Sequence, residues 1–207
     1  RGRCSSVKPI GNNEAVTTVV IIGGGPGGYE AALVAAQLGA EVTLIDRDGL
    51  GGSAVLTDCV PSKALVAAAT VPQTDTDLAT INTRIIELAA AQSRDIAERI
   101  RRDGVRILVG TAHLVNASTV SYHGCAAEEE TIAADVILLA TGARPRMLGA
   151  AAPDGERILT WEQVYQLREV PQRLIVVGSG VTGAEFASAY LSLGSDVVLV
   201  SSRDRVL

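Results

Sequence analysis

The spacing of apolar residues changes repeatedly along the chain, from that typical of a strand to that typical of a helix, which predicts strands and helices in alternation. Thr18–Ile22 and Glu41–Asp46 are short apolar runs typical of buried strands, and an Ala-rich helix is predicted between them over Gly27–Gly39. Apolar residues recur at helical spacing over Thr80–Asp103, which predicts a long amphipathic helix. Alternating segments with turn residues over Ala112–Ile132 indicate a small antiparallel meander.

The same pattern continues to the end of the chain. Val105–Val109 and Asp135–Ala140 are predicted strands, and a strand–helix–strand unit follows over Arg173–Val177, Gly183–Leu193 and Asp196–Val200. Strands that alternate with helices predict a parallel, doubly wound sheet, because parallel neighbours need a crossover connection. The predicted fold class is therefore α/β.

Composition narrows the class of protein. The 207 residues are 47% hydrophobic and 20% charged, which excludes disorder for most of the chain. A net charge of −5 argues against nucleic-acid binding through a basic face, and no uninterrupted apolar run is long enough to span a membrane. Cys4, Cys59 and Cys125 are too few and too scattered for a disulfide scaffold or a zinc site, and no metal-ligand set is expected. A soluble, cytoplasmic α/β protein remains.

A glycine fingerprint, Gly23-x-Gly25-x-x-Gly28, lies between the first strand and the first helix. Gly23 permits the tight turn, Gly25 lets the backbone approach a pyrophosphate, and Gly28 allows close packing of helix on strand. Asp46 ends the next strand, 18 residues after Gly28, where a carboxylate can bind ribose hydroxyls. An ordinary turn is the alternative, but the agreement of strand, helix and terminal acid favours a dinucleotide site.

A second fingerprint, Gly178-x-Gly180-x-x-Gly183, opens the last strand–helix–strand unit. The position 18 residues after Gly183 is Ser201 rather than an acid, and Arg203 follows closely. Hydroxyls with an arginine can accept a 2′-phosphate that a carboxylate would repel, which favours NADPH or the use of both nicotinamide cofactors. The alternative is that Arg203 is a solvated loop charge. Two dinucleotide sites indicate a bound flavin and a diffusible NAD(P)H.

The segment Gly51-Gly52-Ser53-Ala54, with Cys59-Val60-Pro61-Ser62-Lys63 after it, resembles the redox loop of the flavoprotein pyridine nucleotide–disulfide oxidoreductases. Dihydrolipoamide dehydrogenase and glutathione reductase are members of that family. The motifs follow in the family's order over Val19–Leu207, including Thr141-Gly142 after an apolar strand. The resemblance and the fingerprints imply these FAD-binding residues: Gly23, Gly25, Gly28, Asp46, Gly51, Gly52, Ser53, Lys63, Ala112 (through its backbone), Thr141 and Gly142.

The family pattern contains two cysteines that form a redox disulfide, and this sequence departs from it. Ala54 stands at the first cysteine, while Cys59 matches the second, which lies against the flavin. Disulfide turnover is not expected, because dithiol exchange needs a partner sulfur. In this respect the chain most resembles the NAD(P)H:quinone reductases of actinobacteria, the LpdA type, which lack the disulfide. Cys59 is then expected to act as a thiolate beside the flavin, and a small buried apolar residue is the alternative.

A lysine and a glutamate form a second implied pair. In the family the lysine of Pro-Ser-Lys pairs with a glutamate near the flavin N5, and Lys63 and Glu185 occupy these positions. The cation would stabilise negative charge on reduced flavin. An exposed helix residue is the alternative for Lys63, although the chain has only one other lysine. We therefore expect Cys59, Lys63 and Glu185 to form the catalytic group.

The sequence pattern and the resemblance together predict a division of the chain. A flexible leader is expected over residues 1–15, a Rossmann-like FAD-binding domain with the meander over 16–150, and a linker over 151–172. Residues 173–207 are expected to begin a Rossmann-like NAD(P)-binding domain with its first βαβ unit, and full-length members of the family are expected to be homodimers. The expected function is FAD-dependent transfer of electrons from NAD(P)H, NADPH being favoured, to a quinone-like acceptor. A dihydrolipoamide dehydrogenase homologue and a truncated, non-catalytic nucleotide-binding fragment are the alternatives.

Overall fold

The computed structural model describes residues 16–71, 77–124, 129–204 and 206. The expected leader, Cys4 and Cys125 lie outside the described residues. The strands are β1 (Thr18–Ile22), β2 (Glu41–Asp46), β3 (Arg106–Asn116), β4 (Thr119–Gly124), β5 (Glu129–Ala133), β6 (Val136–Leu139), β7 (Arg173–Val177) and β8 (Asp196–Val200). The helices are α1 (Pro26–Gln37), α2 (Gly52–Leu56), α3 (Cys59–Thr70), α4 (Leu78–Arg102), α5 (Trp161–Val164) and α6 (Val181–Ser192).

The larger sheet has the strand order β5-β4-β3-β2-β1-β6, and β3, β2, β1 and β6 are parallel. Strand β3 belongs to both parts of this sheet: its first four residues pair with β2, and from Gly110 onward it pairs with β4 in the antiparallel meander. A Cβ atom on Gly110 would lie 2.2 Å from the carbonyl oxygen of His123, so only glycine fits where the two pairings meet. The predicted α/β class and the predicted meander are confirmed.

Each face of the parallel sheet is covered by a different layer. Ile21 and Leu44 point to α1 and α4, whereas Val20, Ile22 and Ile45 point to the meander, because successive residues of a strand face opposite sides. In a doubly wound sheet, helices are expected on both faces. Within the described residues the meander covers the second face, since strands rather than a helix connect β3 to β6.

The segment that resembles the redox loop is largely helical in the structure. Helix α2 begins at Gly52, after Gly51 at a φ of +100°. Helix α3 begins at Cys59, so Pro61 is its third residue. Proline fits there because the first backbone N–H groups of a helix have no partner within the helix.

The last unit, β7-α6-β8, packs on the rest of the chain through helices. Phe186 and Tyr190 of α6 are buried against Leu65 of α3 and Ile81 of α4, and Tyr165 next to α5 joins the same cluster. The opposite face of the β7–β8 pair is open, and its valines and isoleucine are between 44% and 64% exposed. The helical cluster is therefore what sets the position of the second fingerprint relative to the first.

Candidate functional site

The first fingerprint folds into a tight strand–turn–helix connection. Gly23 has a φ of +105°, and its N–H donates to the carbonyl oxygen of Ile45 at 2.8 Å. A Cβ atom on Gly28 would lie 1.9 Å from the carbonyl oxygen of Gly23. Any side chain at position 28 would therefore push α1 away from the end of β1.

The N-terminus of α1 is open to an anion. Gly25 precedes the helix and has no side chain to cap it, Pro26 has no N–H, and the first turn holds no acidic residue. The start of α2 lies alongside, because Gly51 donates its N–H to the carbonyl oxygen of Gly24 at 2.8 Å. A Cβ atom on Gly52 would lie 2.8 Å from the Cα atom of Gly25. This cradle of bare backbone at a positive helix end fits a pyrophosphate.

Asp46 makes three hydrogen bonds within the site. One carboxylate oxygen accepts from the N–H of Gly24 at 2.7 Å, and the other accepts from Asp48 and Gly49 at 2.9 and 2.8 Å. A carboxylate has about four acceptor sites, so capacity for a ribose hydroxyl remains. A half-open depression of about 300 Å³ lies beside Asp46, between α4 and the start of β3.

The other residues predicted for the flavin site are placed differently. Gly142 follows β6 at a φ of +70°, and the turn that holds Thr141 lies against the first fingerprint: a Cβ atom on Gly23 would be 2.2 Å from the carbonyl oxygen of Ala140. Ala112 packs against the meander core and does not line the depression beside Asp46. Ser53 accepts the N–H groups of Thr57 and Asp58 through its backbone oxygen, so it organises α2 and the turn after it.

The second fingerprint repeats the geometry of the first. Gly178 has a φ of +118° and donates its N–H to Val200, and a Cβ atom on Gly183 would lie 1.9 Å from the Gly178 carbonyl oxygen. Gly180 precedes α6 without a side-chain cap, and the first turn of α6 has no acid. The start of α6 therefore offers a second uncapped N-terminus that fits a pyrophosphate.

The loop after β8 holds Ser201 and Arg203, both predicted to bind the nicotinamide cofactor, and the two residues make different contacts. The Ser201 hydroxyl lies 2.6 Å from the hydroxyl of the buried Ser179 and accepts the N–H of Arg203 at 3.0 Å. The Arg203 side chain is exposed, and among the described residues no ion pair engages it. Ser201 therefore shapes the loop, which leaves the Arg203 guanidinium as the group able to meet a phosphate.

Lys63 and Glu185, separated by 122 residues, meet at the contact between α3 and α6. The Lys63 Nζ atom lies 2.8 Å from Glu185 Oε1, and the buried Ser62 hydroxyl donates to Glu185 Oε2 at 2.5 Å. Burial acts to raise the pKa of Glu185, but the hydrogen bonds from Lys63 and Ser62 hold it below its ordinary value. The bond to Glu185 raises the pKa of Lys63. Both groups are therefore charged at neutral pH, and Lys63 remains 59% exposed.

Cys59 is the first residue of α3 and its side chain is exposed. The structure therefore does not bury Cys59 among apolar residues, and its role beside the flavin stays a prediction. Among the described residues Cys59 is a free cysteine, and Ala54 lies on the neighbouring helix α2.

Sequence reasoning missed three contacts around these residues. They are the Ser62–Glu185 bond, the Ser179–Ser201 contact and a bond from Thr182 of α6 to Asp58, the residue before Cys59. Ser62 lies inside the Pro-Ser-Lys motif, which was a signal for its role. The other two join residues far apart along the chain and leave no local pattern.

The chain belongs to the pyridine nucleotide-disulphide oxidoreductase family, whose pattern it matches over residues 17–207. It is 46% identical over 220 aligned residues to an NAD(P)H dehydrogenase (quinone) from Mycobacterium tuberculosis, covering 93% of this chain and 44% of that protein. It is 33% identical to dihydrolipoyl dehydrogenase 2 of Haloarcula marismortui, over 96% of this chain and 45% of that protein.

Solved structures agree with this assignment. The crystal structure of LpdA from Mycobacterium tuberculosis superposes with a TM-score of 0.86 at 46% identity, over 93% of this chain and 46% of that one. The flavoprotein disulfide reductase RclA from Escherichia coli gives a TM-score of 0.77 at 26% identity, over 92% of this chain and 43% of that one. The chain thus spans less than half the length of the relatives it matches.

Two further features bear on partners. Within the described part of the chain, no helix combines the length and the hydropathy needed to cross a bilayer. Among the same residues, no group of three or more histidine, cysteine, aspartate or glutamate side chains is arranged to hold a metal ion.

Proposed function

We propose that this chain carries the nucleotide-binding elements of an FAD-dependent NAD(P)H oxidoreductase that reduces a quinone-like acceptor. One observation carries the proposal: the chain holds two uncapped glycine cradles of the same geometry, and the Lys63–Glu185 ion pair links α6, the helix of the second cradle, to α3. A cradle for each of two nucleotides, together with a paired cation and carboxylate, suits the exchange of electrons between two cofactors. The name of the relative that is 46% identical supports a quinone as the electron acceptor.

Each part of the site has a role in this proposal. The first cradle and Asp46 would hold the pyrophosphate and ribose of FAD, and the second cradle would hold NAD(P)H. FAD bound there would supply the redox chemistry that couples NAD(P)H to the acceptor. Lys63 would place a positive charge beside that ring, and Glu185 with Ser62 keeps the lysine oriented and protonated.

The acceptor is proposed to be a quinone rather than a disulfide. Reduction of a disulfide by the family mechanism needs two sulfurs that close a disulfide of their own. Ala54 stands where the first sulfur belongs, and within the described part of the chain Cys59 is a free cysteine. Several relatives are named dihydrolipoyl dehydrogenases, which keeps lipoamide as the competing substrate to test.

The first prediction concerns the acceptor. We expect the FAD-loaded protein to oxidise NADPH in the presence of a naphthoquinone and to leave lipoamide unreduced, measured as loss of NADPH absorbance with each acceptor at equal concentration. If the FAD-loaded protein reduced lipoamide as fast as the quinone, the proposed choice of acceptor would be contradicted. Purified protein that takes up no FAD would contradict the enzyme as a whole and favour a non-catalytic nucleotide-binding role.

The second prediction concerns the preference for NADPH, which we propose on the basis of Arg203. We expect Arg203→Ala to raise the KM for NADPH about 10-fold, the effect of one charge-assisted hydrogen bond, and to change the KM for NADH less than about 2-fold. Arg157→Ala is the matched control, because this exposed arginine belongs to the connection before β7. An equal effect of Arg203→Ala on the KM for both cofactors would show that Arg203 does not bind the 2′-phosphate.

The remaining proposals concern the setting of the protein. We propose that the whole protein is a homodimer, as the resemblance implies for full-length members of the family. We also propose that it works in the cytoplasm, where NADPH is available as the diffusible electron donor. Sedimentation velocity of the full-length protein and fractionation of the source cells test these two points.

A further inference from the structure

Two separate sets of hydrogen bonds, here called ties, join the N-terminal halves of α3 and α6. In one, Ser62 and Lys63 of α3 both donate to Glu185 of α6. In the other, the Thr182 hydroxyl of α6 donates to Asp58 Oδ1 at 3.1 Å, and this contact is partly buried. Asp58 immediately precedes Cys59, and Thr182 is the second residue of α6, two positions after Gly180.

Asp58 occupies the position from which an aspartate ordinarily caps its own helix. Its side chain accepts no hydrogen bond from the first turn of α3, where its backbone has a φ of −123° and a ψ of −93°. The carboxylate is directed to α6 instead. The Asp58 carboxylate thus binds Thr182, 124 residues away, and does not cap its own helix. The fold therefore stabilises the contact between α3 and α6 at this point.

The second tie acts on the part of α6 that the first tie does not reach. Glu185 lies one turn into the helix, whereas Thr182 lies beside the uncapped N-terminus that follows Gly178 and Gly180. The orientation of that N-terminus decides where its free N–H groups point, and a displacement of about 1 Å in a binding geometry has a measurable cost. Holding Thr182 therefore holds the second cradle.

We propose that Asp58 is a positioning residue that acts through Thr182 to hold the second cradle against the start of α3, where Cys59 and Lys63 lie. The proposal rests on the proposed function in one respect, namely that the second cradle receives the pyrophosphate of NAD(P)H. Asp58 touches neither nucleotide in this role. Its hydrogen bond, rather than its charge, is the feature that matters.

The test is a double-mutant cycle on NADP⁺ affinity, measured by titration calorimetry with the FAD-loaded protein. We expect Asp58→Ala and Thr182→Val each to weaken NADP⁺ binding about 3- to 10-fold, the range of a single hydrogen bond. The double variant should bind no more weakly than either single variant, because both remove the same contact. Asp58→Asn and Thr182→Ser keep an acceptor and a donor, and each should bind within about 2-fold of the wild-type protein.

Thermal unfolding separates positioning from general stability. In Thr182→Val the Asp58 carboxylate is free to cap α3, so we expect its melting temperature to stay close to that of the wild-type protein while NADP⁺ binding weakens. Multiplicative effects of the two substitutions, or binding by Asp58→Ala that equals wild type, would overturn the proposal. Loss of affinity in Asp58→Asn as large as in Asp58→Ala would also overturn it, since charge would then be the cause.

Hydrogen exchange without any nucleotide distinguishes failure of this proposal from failure of the proposed function. We expect the hydrogen-bonded amides of α6 from Ala184 through the second turn to exchange about 3- to 10-fold faster in Asp58→Ala and in Thr182→Val, and at the wild-type rate in Thr182→Ser. Wild-type protein that binds no NADP⁺ would contradict the proposed function, yet this exchange pattern would still support the tie. Unchanged exchange in both disruptive variants would contradict the tie itself.

Discussion

Gly28→Ala is expected to abolish FAD binding, whereas Gly27→Ala, one residue earlier, is expected to leave it intact. A Cβ atom at position 28 would lie 1.9 Å from the Gly23 carbonyl oxygen, while at position 27 it would meet nothing within 4 Å. The overlap is with backbone, so α1 must move away from β1, at a cost in unfolding free energy of about 1–3 kcal/mol or more. Flavin absorbance retained after gel filtration, with a denaturant melt of each variant, measures both effects.

The second cradle supplies an internal control for this prediction. Gly183→Ala creates the same overlap, 1.9 Å from the Gly178 carbonyl oxygen, but in the other unit. It should abolish NADP⁺ binding and leave FAD bound. Full flavin content in Gly28→Ala would show that the turn relaxes without harm, and loss of both nucleotides in both variants would show that the substitutions simply unfold the protein.

Lys63→Met is expected to slow the reduction of bound flavin by NADPH about 100-fold, the usual size of effect when one electrostatic stabiliser is removed. The substitution keeps a long apolar side chain and removes the charge that Glu185 holds at 2.8 Å. Stopped-flow absorbance of the reductive step measures the rate, and Lys63→Arg, which keeps the charge, should retain more of it than Lys63→Met. A rate in Lys63→Met within about 2-fold of wild type would remove Lys63 from the mechanism.

The pH dependence of stability gives a second measure of the same pair. The pKa of Glu185 is below its ordinary value of 4.5, so its contribution is complete above that value and disappears as the pH falls through the lowered pKa. The pKa of Lys63 is above 10.5, so its contribution disappears only as the pH rises through that raised value. The difference in urea midpoint between wild type and Glu185→Gln should therefore hold from neutral pH to about pH 5 and vanish in stronger acid.

Much of the fold could be predicted from the sequence because its signals are local. The bounds of β1, β2, β7 and β8 match the prediction to the residue, since each is a short apolar run next to a glycine turn. The bounds of α2 could not be predicted, because a glycine pair at positions 51 and 52 favours a loop by composition. Gly51 adopts the left-handed conformation that lets a helix begin directly after it.

The same distinction between local and long-range signals applies to the candidate site. Both glycine turns have the backbone shape that their spacing predicts, because that shape follows from the missing side chains themselves. The partners of Glu185 and Asp58 are set by how α3 packs on α6, which brings together residues more than 120 positions apart. The meander's position over the second face was equally hidden, since a strand's alternation shows that a face is buried but not by what.

The buried cluster around Tyr190 has a consequence for how the chain responds to mechanical and proteolytic stress. It combines α3 and α4 with Tyr165 of the predicted linker and with Phe186 of α6, so the boundary expected at residues 151–172 crosses a continuous core. We expect a covalent cut in that connection to leave the β7-α6-β8 unit attached, because the two pieces would still share that apolar contact. Hinge motion between the two cradles would have to open this cluster.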